Sequence, residues 1–277
     1  QDIRRRPRGV PASAEPMAVV RSSLHSLRYS KTRATAPPPE VTWTLPAPVL
    51  AEDRLCFDPG RYSLRSLITA LLGRCAPELG DFPEPAAEAP LEEYRLDSHA
   101  WSSPEKQALL TRAVREDCEF LAEYERLVRE QVVPYLKARL VEAQPELERE
   151  LRFFYQFPPT VRLQSGPSER YVKPHRDSEY GHQPGELNFW MPLTSPVTQT
   201  TLWVESSPDL GDYHPLDLDY GSIGVFHGTL CRHHVPANPT SYTRVSLDFR
   251  VGVEGAFDPR WVYRGTKSDH LRRDFVF

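Results

Sequence analysis

Apolar residues recur along this chain with two different periods. Up to about residue 155 the spacing is helical. Leu64, Leu67, Ile68, Leu71 and Leu72 predict a helix over 63–72. A longer helical segment runs from Pro104 towards Leu140, with Leu109, Leu110, Val114, Cys118, Leu121, Tyr124 and Leu127 as its apolar stripe. Ser103 suits its N-cap, Pro104 its first turn, and Glu105 adds an acid at the positive end. Pro134 is expected to break or kink it, and 146–152 to add a helical turn or two. Residues 41–45 read as a short strand, and the proline-rich stretch 81–90 as loop.

After Phe157-Pro158-Pro159 the pattern becomes alternation. Thr160–Gln164 and the runs 186–191, 201–205, 223–226 and 244–251 alternate apolar with polar residues, and Gly-, Pro- and Asn-containing turns divide them. Short alternating strands at this spacing predict a β-sandwich or jelly roll. A sheet with one face on a ligand cavity must cover the other, so the 104–140 stripe should lie on the outer face of the major sheet, giving an α+β fold. The expected organisation is a basic, proline-containing flexible arm over 1–40, then one domain over 41–277. That domain has helical and loop support over 41–155, the jelly-roll core over 156–252 and a C-terminal tail over 253–277.

Composition narrows the function classes. The net charge of −4 gives no footprint for nucleic acid, and no apolar run approaches membrane-spanning length. Cys56, Cys75, Cys118 and Cys231 lack metal-knuckle spacing and read as free thiols of a cytoplasmic protein. Arg4, Arg5, Arg6, Arg8, Arg21, Arg28, Lys31 and Arg33, against Asp2 and Glu15, make the arm basic.

The chemistry concentrates in the alternating half. His175 and Asp177, two apart on an extended segment, point to one side. With a second imidazole they make the 2-His-1-carboxylate set that holds Fe(II) on one face and leaves the other open. The third ligand is His233, with His234 and His227 as alternatives. A planar guanidinium suits the far carboxylate of a 2-oxo diacid. Arg244 is the candidate, supported by Ser246 two residues on and by Asn188 or Trp190 from a partner strand; Arg250 shares its parity and is the alternative.

The stretches His175–His182 (HRDSEYGH), 185–194 (GELNFWMPLT), 201–208 (TLWVESSP), 231–234 (CRHH) and 243–251 (TRVSLDFRV) resemble the StrG-type proteins of streptomycin biosynthesis. The likeness covers roughly residues 160 to 252. It implies a double-stranded β-helix, a jelly-roll or cupin-like core, with Fe(II) as metal, 2-oxoglutarate as cosubstrate and O2 as oxidant. It also implies a small aminoglycoside- or sugar-like substrate that is hydroxylated or oxidatively cyclised.

Arg162, Tyr171, Tyr180, His182, Glu186, Trp203 and Glu205 are the candidate substrate contacts. Glu186 and Glu205 are the carboxylates that a polycationic substrate wants, and aromatic faces suit sugar CH groups and ammonium. The segments 178–185 and 206–219 should border the cavity mouth, with Tyr213 and His214 on a mobile lid. Other readings are an amino-acid or peptidyl hydroxylase of the same superfamily, and a catalytically silent cupin-like metal-binding protein. Neither nucleic acid nor membrane is expected as a partner, and the chain is expected as a monomer or homodimer.

Overall fold

The computed structural model describes residues 41–79, 90–94, 104–195, 198–261 and 271–277. The basic arm over 1–40, most of the 81–90 loop and the Ser103 cap lie outside them.

Helices come first. After a single turn at Ala47–Leu50 (α1), α2 spans Leu64–Leu79. The long segment is divided into α3 (Pro104–Glu116), α4 (Cys118–Leu127) and α5 (Val133–Ala143). The break falls at Asp117, whose side chain leaves the helical path to accept the Phe120 N–H at 3.0 Å. Cys118 is thereby exposed and leaves the stripe. Pro134 neither breaks nor ends the helix. Val128–Val132 widens into a π turn in which the Val133 N–H reaches the Val128 carbonyl, so the ladder absorbs a residue with no N–H to give.

The strands are β1 (Asp53–Cys56), β2 (Arg152–Gln156), β3 (Thr160–Gln164), β4 (Val172–His175), β5 (Glu186–Pro192), β6 (Trp203–Val204), β7 (His214–Pro215), β8 (Ser222–Phe226), β9 (His233–Val235), β10 (Arg244–Val253) and β11 (Arg272–Val276). They form an antiparallel sheet in the order β1-β8-β5-β10-β2-β11, with β3 on the N-terminal half of β10, and a smaller sheet in the order β4-β9-β6-β7. From β3 to β10 the chain passes between the sheets as a jelly roll does, which gives the α+β class.

Parity on the large sheet separates core from cavity. Leu187, Phe189, Met191, Val245, Leu247, Phe249 and Val251 are buried in one cluster with Val114, Leu121, Leu127 and Leu136 of the helices. Phe189 stacks on Phe249 at 5.4 Å, Tyr124 meets Phe249 edge-on at 5.2 Å, and the Tyr124 hydroxyl donates to the Gln156 carbonyl at 2.8 Å. Truncating such a buried ring costs about 3–5 kcal/mol. The helices thus cover one face of this sheet. On the other face a second cluster joins Trp190 and Phe226 to Val204 and Val235 of the small sheet.

Several sequence expectations are corrected. Residues 41–45 form no strand; the Thr42 and Trp43 N–H groups bond only to the Gly255 carbonyl. The turn expected over 146–152 is a short 3-10 helix at Pro145–Leu147, and Arg152 already begins β2. The 253–277 segment carries β11, which pairs with β2 in register from Arg272↔Gln156 to Val276↔Arg152. Only Trp203–Val204 of the 201–205 run is strand. Among the described residues, no helix is long and apolar enough to cross a membrane.

Candidate metal centre and cosubstrate pocket

His175 closes β4 and His233 opens β9, and these strands pair with the two residues opposite one another. Asp177 begins the turn after β4. One ligand atom from each of the three lies within 4.8 Å of the others. The Nε2 of His233 is 3.5 Å from Oδ1 of Asp177, and the two imidazole centroids are 4.4 Å apart.

The remaining atoms of these side chains are fixed from outside. Nδ1 of His175 bonds the Lys173 carbonyl at 2.8 Å, and Nδ1 of His233 bonds the Cys231 carbonyl at 3.2 Å. Each ring is therefore oriented through Nδ1 and turns Nε2 inward. Oδ2 of Asp177 accepts from Asn188 Nδ2 at 2.6 Å and from Arg250 at 2.8 Å, leaving Oδ1 for an ion. Burial alone would raise the Asp177 carboxyl, but Arg250 and then His233 hold it well below the usual carboxylate range. Burial, then the neighbouring His233, lowers the His175 imidazole, which keeps it neutral. Two imidazoles and one ionised carboxylate fit a ferrous ion with open positions.

Gly228 completes this support. Its N–H donates to Asn188 Oδ1 at 3.1 Å and its carbonyl accepts the Asp177 N–H at 2.9 Å. A Cβ here would stand 2.7 Å from Asn188 Nδ2, so only glycine permits the approach. Gly181, at φ 90°, closes the turn behind Asp177 with its N–H on the Ser178 carbonyl at 3.1 Å.

The alternative ligands face other work. His227 Nε2 bonds the Pro184 carbonyl at 3.0 Å. His234 borders the cavity but is stacked on Trp203 at 6.0 Å, with Tyr213 edge-on at 5.0 Å.

A cavity of about 320 Å³ opens between the sheets beside the three donors. Arg244, Ser246, Asp248 and Arg250 share the inward parity of β10, yet they divide the work. Arg250 binds Asp177 and reaches Gln156 Oε1 at 3.1 Å, so its guanidinium is already engaged by a candidate ligand. Arg244 is buried and donates to the Thr200 carbonyl at 3.2 Å. Its Nε and the Ser246 Oγ are buried with no hydrogen-bond partner among the described residues. Burial, with repulsion from Arg162, lowers the Arg244 guanidinium to about 10 against the pull of Asp248. A desolvated, under-partnered cation beside the donor cluster fits a carboxylate. Asn188 lines the cavity but is engaged with Asp177 and Gly228, and Trp190 forms apolar wall.

The expected substrate contacts separate into two groups. Arg162, Tyr180 and His182 line the cavity, and Tyr180 packs edge-on to His175 at 5.3 Å. Tyr171, Glu186, Trp203 and Glu205 are not in its described lining. Tyr171 is 59% exposed. Trp203 faces an outer groove with Pro167, Pro236 and Pro239. Glu186 is buried between His182 Nδ1 at 2.6 Å and Arg272 at 2.8 Å; burial opposes its ionisation, but Arg272 and His182 hold its carboxyl at about 2. Glu205 accepts the Gly211 N–H at 3.0 Å and the Arg232 N–H at 2.7 Å, which closes the adjoining loop. Of the two segments expected at the mouth, 178–185 contributes Tyr180 and His182, whereas nothing described in 206–219 reaches the lining. His214 is a strand residue paired with Val204 and bonded to Glu52 at 2.7 Å, not part of a lid.

Gly228 and Arg272 carry no local signal in the sequence, and Arg250, expected as the alternative to Arg244, is instead found on Asp177. Inward parity on β10 was a signal for Arg250 alone.

No family model matches this chain. A curated relative, the streptomycin biosynthesis protein StrG of Streptomyces griseus, is 36% identical over 101 residues, which is 36% of this chain and 47% of that protein. The chain therefore matches about half the length of that relative. Among solved structures, the non-haem α-ketoglutarate-dependent carbocyclase SnoK of nogalamycin biosynthesis is 14% identical, with 84% of this chain and 92% of that one covered and a TM-score of 0.44. The α-ketoglutarate-dependent epimerase SnoN is 17% identical over 78% of this chain and 81% of that one, at a TM-score of 0.43. A prolyl-4-hydroxylase from Pseudomonas putida is 16% identical over 73% and 92%, at 0.39.

Proposed function

We propose that this chain is a non-haem Fe(II)/2-oxoglutarate-dependent oxygenase that hydroxylates or oxidatively cyclises a small polar natural-product intermediate. One observation carries the reading. Three donor atoms with outwardly fixed partners converge within 4.8 Å, and the same cavity holds a buried guanidinium with an unpartnered Nε. Binding a metal needs only the first feature. The second asks for an anionic cosubstrate, which weighs against a silent metal-binding protein.

In this reading His175, Asp177 and His233 hold Fe(II), which supplies O2 activation coupled to oxidation of the 2-oxo acid. Asn188 and Arg250 keep Asp177 ionised and directed by one oxygen. Arg244, with Ser246, binds the distal carboxylate of 2-oxoglutarate and fixes its orientation to the metal. Trp190, Leu202 and Phe226 give the cavity apolar wall, which excludes water and strengthens charge-assisted contacts inside it. Tyr180 and His182 stand over the substrate side. The name of the curated relative supports a sugar-like intermediate of antibiotic biosynthesis as substrate.

The test is O2-dependent conversion of 2-oxoglutarate to succinate by the Fe(II)-reconstituted protein. We expect slow turnover without substrate, abolished in Asp177→Ala. Succinate formation that persists in Asp177→Ala would overturn the proposal.

A further inference from the structure

The cavity's charged lining carries information about the substrate that the oxygenase reading does not use. Among the described lining residues, apart from imidazoles, three guanidiniums (Arg162, Arg244 and Arg250) face two carboxylates (Asp177 and Asp248). Arg250 is matched by Asp177 at 2.8 Å and Arg162 by Asp248 at 3.1 Å, while Arg244 has, among the described residues, only a carbonyl in hydrogen-bond reach. A divalent metal adds two positive charges and 2-oxoglutarate two negative ones, so the excess of one cation survives loading. The two carboxylates expected to attract a polycation, Glu186 and Glu205, are buried elsewhere with partners of their own.

Arg162 is the lining guanidinium placed to meet a second ligand. It sits opposite Ser246 in the β3–β10 register, one inward position from Arg244, and its side chain is 39% exposed. Its Nε and Nη2 both engage a single oxygen of Asp248, at 3.2 and 3.1 Å, so the pair is one-sided and not fork on fork. A one-sided, half-exposed pair is weak and gives way to a better acceptor.

We infer that the cavity selects a substrate bearing an anionic oxygen group, a carboxylate or a phosphate ester, and that Arg162 binds that group. The inference rests on the oxygenase reading for the loaded charge, but the recognition itself is a property of Arg162 and Asp248. A polycationic substrate meets like charge in this cavity, and an anionic one neutralises its excess.

The test is equilibrium binding of four probes that share one ring: glucose, glucosamine, glucuronate and glucose 6-phosphate. Binding is read by calorimetry on the whole chain loaded with Mn(II) and saturating 2-oxoglutarate, without turnover. We expect the anionic probes to bind at least tenfold more tightly than glucosamine, and the two anions to reveal whether carboxylate or phosphate is preferred. Arg162→Gln should remove that preference, and Asp248→Asn, which releases Arg162, should strengthen it several-fold. Tighter binding of glucosamine, or an anion preference that survives Arg162→Gln, overturns the inference. A preference lost in Arg244→Gln but kept in Arg162→Gln does so too, because it places the anion in the cosubstrate seat. Failure of the oxygenase reading itself appears separately, as absence of 2-oxoglutarate-dependent succinate.

Discussion

Replacing Arg250 with Met removes the guanidinium that holds Asp177 while keeping an apolar stem. In the native protein Arg250 and Asp177 are both buried and meet at 2.8 Å, and Arg250 also bonds Gln156 at 3.1 Å. Removing one partner of a buried ion pair costs about 3–5 kcal/mol, because the remaining charge stays desolvated. For a chain of this size that is a fall in Tm of roughly 6–20 °C. Asn188 at 2.6 Å still directs Asp177, so the donor set survives in loosened form and metal affinity should fall about 10- to 100-fold. Calorimetric melting of the metal-free protein reads the first effect, and Mn(II) titration followed by electron paramagnetic resonance reads the second. Asp177→Asn combined with Arg250→Met should be much less destabilised than the sum of the single variants, since no buried carboxylate is then left without its cation. A melting point within 2 °C of wild type, with Mn(II) affinity unchanged, would refute this account of Arg250.

Three further outcomes follow from particular contacts. Glu186 has its carboxyl depressed to about 2, so it contributes stability above the unfolded value near 4.5 that is lost as pH falls towards 2. Glu186→Gln should abolish that contribution, roughly 3 kcal/mol, in denaturant unfolding between pH 5 and pH 2; an identical pH slope in wild type and variant would exclude it. Arg244→Lys keeps charge but loses the planar fork, so the KM for 2-oxoglutarate should rise by roughly an order of magnitude, and an unchanged KM would remove Arg244 from the cosubstrate pocket. Glu205→Ala should increase hydrogen exchange at the Gly211 and Arg232 amides without altering substrate KM, whereas a KM effect with unchanged exchange would return Glu205 to the substrate site.

How much of this was legible in the sequence depended on how local the deciding contact is. β3 and β10 could be read because their alternation reflects one face on the helices and one on the cavity. β2 could not, because every residue of Arg152–Gln156 after Arg152 is buried, which leaves no period of two. β11 is a five-residue edge strand whose pairing with β2 spans more than a hundred residues of chain. The spacing of His175 and Asp177, and the tract around His233, pointed to residues that the fold brings together. The substrate side was less legible. Glu186 has the same inward parity as Asn188 and Trp190, yet His182 and the distant Arg272 enclose it. Whether an inward carboxylate meets a ligand or a guanidinium 86 residues away is not a property of its own segment.

The central claim is that His175, Asp177 and His233 hold iron beside a 2-oxoglutarate seat formed by Arg244. Anaerobic addition of Fe(II) and then 2-oxoglutarate to the whole chain tests it directly by visible absorption. The account predicts a weak charge-transfer band at one equivalent of iron, which is absent in Asp177→Ala and His233→Ala, retained in His234→Ala, and requires more 2-oxoglutarate to saturate in Arg244→Lys. A protein that binds Fe(II) and 2-oxoglutarate without the band, or a band that survives His233→Ala and vanishes in His234→Ala, would contradict it.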